Sequence, residues 1–173
     1  MSITLADTYY LKALNLYPYD LDQVIEALNF AISHDNDHAG AHCLLGNLNM
    51  YQLGKISEAE NHFEKALASD LNYVETYYSY TNLLIQIGEY GKAKKLINYA
   101  YNIKGISVSR LKHSEGLIAE LKGHLHKAKR YMKFAYDRSC NKPERDFLKE
   151  ELERVNSKLK PPDKSSASKR EGK

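Results

Sequence analysis

The stretch GKISEAENHFEKAL, residues 54–67, is nearly repeated 34 positions later as GEYGKAKKLINYAY, residues 88–101. The two stretches share their small and apolar letters, whereas the charged letters between them differ. A third copy, GHLHKAKRYMKFAY, follows at residues 123–136, and a fainter one at residues 24–31 precedes the first. Four units at a period of 34 to 35 residues predict a repeat architecture, because a fixed period of this length is its sequence signature. The recurring letters are Val24, Leu28 and Ala31; Gly54, Ala59, Phe63 and Ala66; Gly88, Ala93, Ile97 and Ala100; and Gly123, Ala128, Met132 and Ala135.

Within each unit the apolar residues follow a helical spacing. In the third unit Tyr77, Tyr80 and Leu84 lie at i, i+3 and i+7, which places them on one face of a helix. Gly88 then separates this periodic stretch from the next, and glycine is suited to ending a helix. Each unit is therefore predicted to be a helical hairpin. The predicted helices cover residues 4–16, 21–34, 38–52, 56–69, 73–87, 90–103, 108–122 and 125–139, with a ninth near 143–159.

The domain organisation follows from the hairpins. One hairpin of this size cannot bury its apolar stripe alone, so the units must stack on one another. We therefore predict a four-unit repeat domain over residues 1–142. The ninth helix, within residues 143–160, has many charges and few apolar letters, which fits a capping helix with a polar outer face. Residues 161–173, PPDKSSASKREGK, have nothing to bury and are predicted to form a disordered basic tail.

The composition is that of a soluble protein with an uneven distribution of charge. Of the 173 residues, 43% are hydrophobic and 27% are charged. The net charge of +3 divides into −9 over residues 1–90 and +12 over residues 91–173. No secretory signal opens the chain, no stretch approaches the ~20 apolar residues that cross a bilayer, and Cys43 and Cys140 lack metal-like spacing. We therefore expect a cytoplasmic protein with free thiols and no membrane association.

Two short motifs, LLG at residues 44–46 and SEAENHFEKAL at residues 57–67, carry a family likeness. Together with the period and the hairpin they resemble the tetratricopeptide repeat, and Tyr77 takes the first aromatic place of its signature in the third unit. The resemblance covers about residues 5–139. It implies an all-α fold, an α-solenoid of four helical hairpins plus the capping helix, and a role as a protein-binding adaptor or scaffold. Glu115 falls where the family pattern buries a leucine, and the sequence does not explain its role.

Histidines are the sharpest candidates for a metal site. His34, His38 and His42 lie four residues apart, with Cys43 adjacent, and histidines at this spacing on one helix can share a metal. The predicted turn over residues 35–38 breaks that helix. We therefore predict solvated histidines between the repeats, with neither a metal nor another cofactor.

Catalytic pairs are equally weak. The neighbours His42 and Cys43 would point about 100° apart on a helix, and so would His113 and Ser114. Such pairs cannot make the contact between nucleophile and base that activation requires. No strand is predicted, so no glycine-rich phosphate loop follows one. The chain is predicted not to be an enzyme.

The family resemblance implies a concave groove, lined by the first helix of each hairpin, that holds an extended peptide or a partner helix. Residues opposite the buried stripe of helix 73–87, and those at equivalent places in the other units, are the candidates for contact. Asparagine can bond a peptide backbone through both ends of its amide, and tyrosine offers rigid apolar area with a polar tip. Packing between the repeats is the second interpretation of the tyrosines. The predicted groove residues are Tyr9, Tyr10, Asn47, Glu75, Tyr78, Ser79, Asn82, Arg110 and His113.

The second helix of the fourth unit carries a row of bases outside its predicted buried face of Ala128, Met132 and Ala135. A solvated helix face is the simplest interpretation. Binding to an acidic protein surface, self-association with the acidic half of another copy, and binding to nucleic acid are the alternatives. For the chain as a whole a protein or peptide partner is preferred over nucleic acid. The predicted basic patch consists of Lys127, Lys129, Arg130, Lys133 and Arg138.

Overall fold

A computed structural model describes residues 3–160, and these fold into nine α helices without a strand. All nine predicted helices are present, with bounds that differ from the predicted ones by three residues at most. The predicted disordered tail, residues 161–173, lies outside the described residues. The helices are α1 Leu5–Leu16, α2 Leu21–His34, α3 Ala39–Tyr51, α4 Ile56–Ser69, α5 Val74–Gln86, α6 Tyr90–Ala100, α7 Val108–Leu121, α8 Leu125–Arg138 and α9 Lys142–Leu159.

Local hydrogen bonds and backbone conformation explain where the helices begin and end. Thr4 forms a capping box at α1: its hydroxyl accepts from the Asp7 N–H at 3.0 Å, and the Asp7 carboxylate accepts from the Thr4 N–H at 2.8 Å. Asp20 and Asn141 cap α2 and α9 by accepting a backbone N–H. Gly88 separates α5 from α6 with a φ of +81°, a left-handed conformation that residues with a side chain disfavour. The sequence thus determines both the hairpin turn and the start of the next helix.

The helices pair in sequence order into hairpins: α1 with α2, α3 with α4, α5 with α6, and α7 with α8. The chain forms two compact units, Met1–Ile106 and Ser107–Lys173. In the first unit α3 contacts both α1 and α5, so the first helices of its three hairpins lie side by side. In the second unit α9 packs on α8. The boundary between the two compact units thus lies after Ile106. The domain boundaries predicted at residues 142 and 160 stay predictions.

The letters that recur in the sequence occupy the buried contacts between helices. Alanine lets a second helix approach its neighbours closely, because a larger side chain would fill the space of the contact. Glycine serves the same purpose on a first helix, since a Cβ on Gly46 would lie 2.5 Å from the Phe63 ring. The apolar and alanine positions of the repeat, called the comb below, therefore fix where the helices touch. The comb residues are Val24, Leu28, Ala31, Ala59, Phe63, Ala66, Ala93, Ile97, Ala100, Ala128, Met132 and Ala135, each at most 1% exposed.

Helix α9 packs through a narrow apolar face and a group of ion pairs. Leu148 and Val155, seven residues apart, are buried, and Val155 joins the core of the fourth hairpin. The Arg154 guanidinium contacts the carboxylates of Glu120 on α7 and Glu151 on α9. Hydrogen bonding to Arg154 lowers the pKa of both carboxyl groups. The charges of α9 therefore connect it to α7 as well as to solvent.

The buried comb positions predict that a larger side chain there destabilises the fold. Ala93→Leu and Ala100→Leu each add three carbons to a contact without free space, and each should lower the free energy of unfolding by about 1–3 kcal/mol. Urea denaturation followed by circular dichroism measures the change. Lys94→Ala, an exposed neighbour, is the control and should change stability by less than about 0.5 kcal/mol. Equal midpoints for Ala93→Leu and Lys94→Ala would contradict the helix register.

Two helical glycines at the same place of the repeat should respond differently to alanine. A Cβ on Gly46 would meet the buried Phe63 ring at 2.5 Å, whereas a Cβ on Gly116 would meet the terminal methyl of Met132 at 2.9 Å. A methionine end can rotate away, but a packed ring cannot. Alanine is favoured over glycine in a helix by about 1 kcal/mol. We therefore expect Gly116→Ala to be neutral within about 0.5 kcal/mol, and Gly46→Ala to destabilise by about 1–3 kcal/mol. Urea midpoints that change equally would show that the ring contact is not tight.

Candidate functional site

Helix α5 reaches solvent along one narrow polar stripe. Glu75, Asn82 and Gln86 are exposed and Ser79 is half-buried, whereas the other residues of 76–85 are buried. Their positions at i, i+4, i+7 and i+11 place these four side chains, called the α5 stripe below, on one face of the helix. The structure therefore brings together three of the predicted groove residues. Gln86 was missed by the sequence analysis, although the step of four from Asn82 could have found it.

Helix α3 is buried on nearly all sides. From Ala39 to Met50 every residue except Asn47 is buried. Asn47 and Asn82 lie 35 residues apart at the same place of the repeat, on helices that pack against each other. Tyr51, one turn beyond Asn47, is 54% exposed and was also missed. The two adjacent first helices thus present one asparagine each.

The two tyrosines predicted to line the groove on α1 make packing contacts instead. Tyr9 stacks on Phe30 with ring centres 5.1 Å apart and also faces His34 on α2. The Tyr10 hydroxyl lies 2.8 Å from the hydroxyl of Tyr73, so one of the two donates to the other. Both Tyr9 and Tyr10 are half-buried. Packing, the second interpretation of the tyrosines, therefore describes these two residues.

Tyr78 does not lie on the exposed face of α5, and that part of the prediction is wrong. Its side chain is only 5% exposed. Tyr78 stands 35 residues after Cys43, which is buried on α3 beside Thr76 and Ser79 of α5. In the second and third hairpins this place is therefore buried rather than open to solvent. Tyr78 is therefore a core residue, and replacing it would test stability rather than binding.

His113 occupies the same place in the second compact unit, where it contacts helix α9. Its Nε2 lies 3.4 Å from the Glu151 carboxylate, and its ring meets that of Phe147 edge-on at 5.2 Å. Burial lowers the pKa of His113, although Glu151 opposes the effect. His113 thus packs against α9 rather than lining an open face. Arg110, the other predicted groove residue of this unit, is exposed.

The three histidines of the proposed metal cluster have separate roles. His38 caps α3 by accepting the Ala41 N–H on Nδ1 at 3.0 Å, while its Nε2 lies 3.3 Å from the Asp7 carboxylate. His34 faces Tyr9. His42 was expected to be solvated, but it is only 2% exposed because α3 is enclosed. Within residues 3–160 no group of three or more His, Cys, Asp or Glu side chains is placed to hold a metal ion.

His42 and His62 form a hydrogen-bonded pair between α3 and α4. Their Nδ1 atoms lie 3.1 Å apart, and the Nε2 of His42 donates to the Asn36 carbonyl at 2.9 Å. A neutral His42 therefore has its lone pair on Nδ1, and the Nδ1–H of His62 donates to it. Burial lowers the pKa of both residues, that of His62 to about 4, and Lys65 lowers each further. The pair is thus built for two neutral rings.

The adjacent Cys43 has no activated thiol. Burial raises its pKa to about 11, so the thiolate required for nucleophilic attack is absent at neutral pH. Both nitrogens of His42 are engaged by His62 and Asn36. The His42–Cys43 pair therefore lacks the features of a catalytic dyad.

The fourth hairpin accommodates Glu115 by pairing it. Lys112 Nζ lies 2.6 Å from Glu115 Oε2, and the two side chains are only 22% and 18% exposed. Lys112 and Glu115 stand 35 residues after Tyr77 and Tyr80, so two places that hold tyrosines in the third hairpin hold an ion pair here. Pairing reduces the cost of removing these charges from water. Glu115 is thus explained by its neighbour one turn earlier.

All five residues of the predicted basic patch are exposed on α8. They lie on two sides of the helix rather than on one. Lys127, Arg130 and Arg138 share a face with two aromatic rings, whereas Lys129 lines the groove between α8 and α9. Lys133 follows Lys129 by one turn. The patch therefore contains two different surfaces.

Solved structures of other proteins share this arrangement of helices. PilF of Pseudomonas aeruginosa matches with a TM-score of 0.72 and 24% identity, over 89% of this chain and 72% of its own. MamA from Desulfovibrio magneticus RS-1, from residue 41 to its end, matches with a TM-score of 0.69 and 18% identity, over 91% of this chain and 88% of its own. The fold is that of the tetratricopeptide repeat. No family model and no curated protein matches the sequence.

The tetratricopeptide fold confirms the predicted fold class, an all-α solenoid of helical hairpins. It also explains why α3 and α5 are enclosed while the second helices keep an outer face. No helix in the described part of the chain combines the length and the apolar character needed to span a bilayer. The cytoplasmic location stays a prediction.

The histidine pair predicts a loss of stability in acid. The unfolded chain binds a proton at His62 near the ordinary pKa of 6.5, whereas the folded chain binds it only near 4. Stability is therefore fully present above about pH 6.5 and falls as the pH drops toward 4. Because His62 is partly exposed, solvent screening limits the expected loss to about 1–2 kcal/mol.

Urea midpoints at about pH 7 and about pH 5 measure this loss. His62→Gln keeps a donor for His42 but cannot titrate, so its midpoint should fall less than that of the wild type. The urea midpoint of His126→Gln, a change at an exposed histidine of α8, should fall as much as that of the wild type. If His62→Gln and the wild type lost the same stability, the buried pair would not be the acid-sensitive group.

Proposed function

We propose that the chain is a non-enzymatic scaffold that binds an extended segment of a partner protein along the first helices of its repeats. The observation that carries this proposal is the polar row on otherwise buried helices, which is exposed at Asn82 and half-buried at Asn47. On α3 and α5 almost every side chain is committed to packing, yet Asn47 and Asn82 reach the surface at equivalent places. A fold that only needed stability would have no use for the same amide at the same place.

The chemistry of the row fits a peptide backbone. An asparagine amide donates through Nδ2 and accepts through Oδ1, so each side chain can bond one N–H and one C=O of an extended chain. Ser79 and Gln86 on the α5 stripe add further polar groups, and Glu75 adds a negative charge at its start. We therefore expect a partner segment in an extended conformation, with a basic residue near Glu75.

Rigidity supports the same role. Leu44, Leu45 and Leu48 of α3 belong to the apolar core that includes α1 and α2. A helix buried in this way keeps its exposed side chains in fixed positions before a partner arrives. Such preorganisation lowers the entropy lost on binding. The enclosed helices thus supply a rigid base for a small number of contacts.

The test is recovery of partners by the full chain from a nuclease-treated lysate, followed by mass spectrometry. The double variant Asn47→Ala/Asn82→Ala should lose at least one protein that the wild type recovers, with binding weakened by more than about 1 kcal/mol, or fivefold. Circular dichroism should be unchanged, because both changes are at the surface.

The matched control is Asn29→Ala/Asn61→Ala, which removes two exposed asparagines from the second helices α2 and α4. This variant should recover the same proteins as the wild type. Recovery of every partner by the Asn47→Ala/Asn82→Ala variant would place the binding site outside the first helices.

A further inference from the structure

Helix α8 carries a surface that the groove does not use. Lys127, Tyr131, Phe134 and Arg138 lie at i, i+4, i+7 and i+11 and so share one face. Arg130 lies between them, one residue before Tyr131. These five residues together with Lys112 of α7 are called the cationic ridge below. Tyr131 is half-buried and Phe134 is 38% exposed, so the ridge combines charge with accessible apolar area.

The aromatic rings hold the cations of the ridge in place. Lys112 Nζ lies 5.1 Å from the centre of the Tyr131 ring and 5.7 Å from that of Phe134. Lys127 and Arg130 lie 5.6 and 5.9 Å from the Tyr131 ring centre, and Arg138 lies 5.3 Å from that of Phe134. Each contact is within the range of a cation–π interaction. The cations therefore lie beside the rings in the chain without a ligand.

The paired acids of the second compact unit leave the bases of α8 on the ridge without a carboxylate partner. Glu120 and Glu151 pair with Arg154, and Glu115 pairs with Lys112. In the described part of the chain no carboxylate lies within 4 Å of the side-chain nitrogens of Lys127, Arg130 or Arg138. By contrast, Arg154 and Lys158 of α9 each have a carboxylate within that distance. Helix α8 itself has a single acid, Asp137. The charges of Lys127, Arg130 and Arg138 are thus left for solvent ions or for an acidic ligand.

We propose that the cationic ridge binds an acidic amphipathic helix of a partner protein. Carboxylates at i, i+4, i+7 and i+11 of such a helix would run beside α8 over about 16 Å, the distance that eleven helical residues span. They would meet Lys127, Arg130 and Arg138, while one apolar side chain of the partner would cover the exposed part of Phe134. Burying that ring together with paired charges gives the contact both affinity and register.

The geometry favours a protein over a nucleic acid. Single-stranded nucleic acid binds where bases can stack on open aromatic faces. Here each ring already has at least two cations of the ridge within 6 Å of its centre. The ring surface that stays accessible suits an aliphatic side chain better than a nucleic-acid base. This inference does not rest on the groove, since the ridge lies in the other compact unit and has its own variants.

The test measures binding of the full chain to a fluorescent helical peptide of about 18 residues, with glutamates at i, i+4, i+7 and i+11 and one leucine on the same face. At about 25 mM salt the peptide should bind, and its glutamine counterpart should bind at least about tenfold more weakly. Lys127→Glu/Arg130→Glu/Arg138→Glu should weaken binding by about tenfold or more. Phe134→Ser should weaken binding of the leucine peptide but not of a version with alanine there.

The control Lys142→Glu/Lys149→Glu/Lys160→Glu makes the same change in net charge at exposed positions of the same unit. It should alter affinity by less than about twofold. Failure of the glutamate peptide to bind, or equal losses in the two triple variants, would overturn the proposal. A thymidine oligonucleotide that binds the ridge more tightly than the peptide would assign the ridge to nucleic acid instead. Light scattering that shows dimers at low salt for the wild type, but not for the ridge variant, would assign it to a second copy.

Discussion

Contact between helices at positions without a large side chain is the constraint on which the other features of this chain depend. Ala59, Ala93 and Ala128 have no exposed surface, and Gly46 leaves the space that the Phe63 ring fills. Because the helices touch at these points, the first helices α3 and α5 are enclosed, α3 above all. On these two helices only a narrow polar row remains for solvent. The comb therefore decides which residues the first helices can offer to a partner.

The two sides of each contact are matched in size within this one chain. The place that holds Gly46 opposite Phe63 holds Gly116 opposite Met132, whereas in the third hairpin Thr81 stands there and Ile97 takes the place of the ring. A β-branched residue on the second helix leaves room that a packed phenyl ring does not. The exchange has a cost, because the Thr81 hydroxyl is buried with no hydrogen-bond partner among residues 3–160. Such an orphaned group costs about 1–3 kcal/mol. At the place of Thr81, the size of the side chain thus matters more for packing than the unpaired hydroxyl that it buries.

Sequence reasoning predicted the helices and the fold better than the candidate site, for a physical reason. Helix spacing and burial along one chain segment follow from a period of 3.6 residues, so the comb and the nine helices could be predicted. Whether a residue faces the groove or the next helix depends on how successive hairpins are rotated, which a single segment does not encode. Tyr78 and His113 were assigned to the groove for this reason. Cys43, which stands at the same place of the repeat, is apolar and already indicated that this place is packed. Asn47 and Asn82, placed opposite the buried stripe by the helix period, do reach solvent, and their role in binding stays a prediction.

The outer face of the second helices shows where this fold is free to vary. The place that holds Lys127 holds Lys92 in the third hairpin and Glu58 in the second, and the place of Phe134 holds Tyr99 and then Lys65. The charge at the first of these places therefore changes sign between the second and third hairpins, while the comb residues beside it stay small or apolar. Since the fold tolerates either sign, stability does not explain why Lys127, Arg130 and Arg138 gather around two aromatic rings. Within residues 3–160 no carboxylate pairs with these three bases, and recognition of something acidic explains such a surface best.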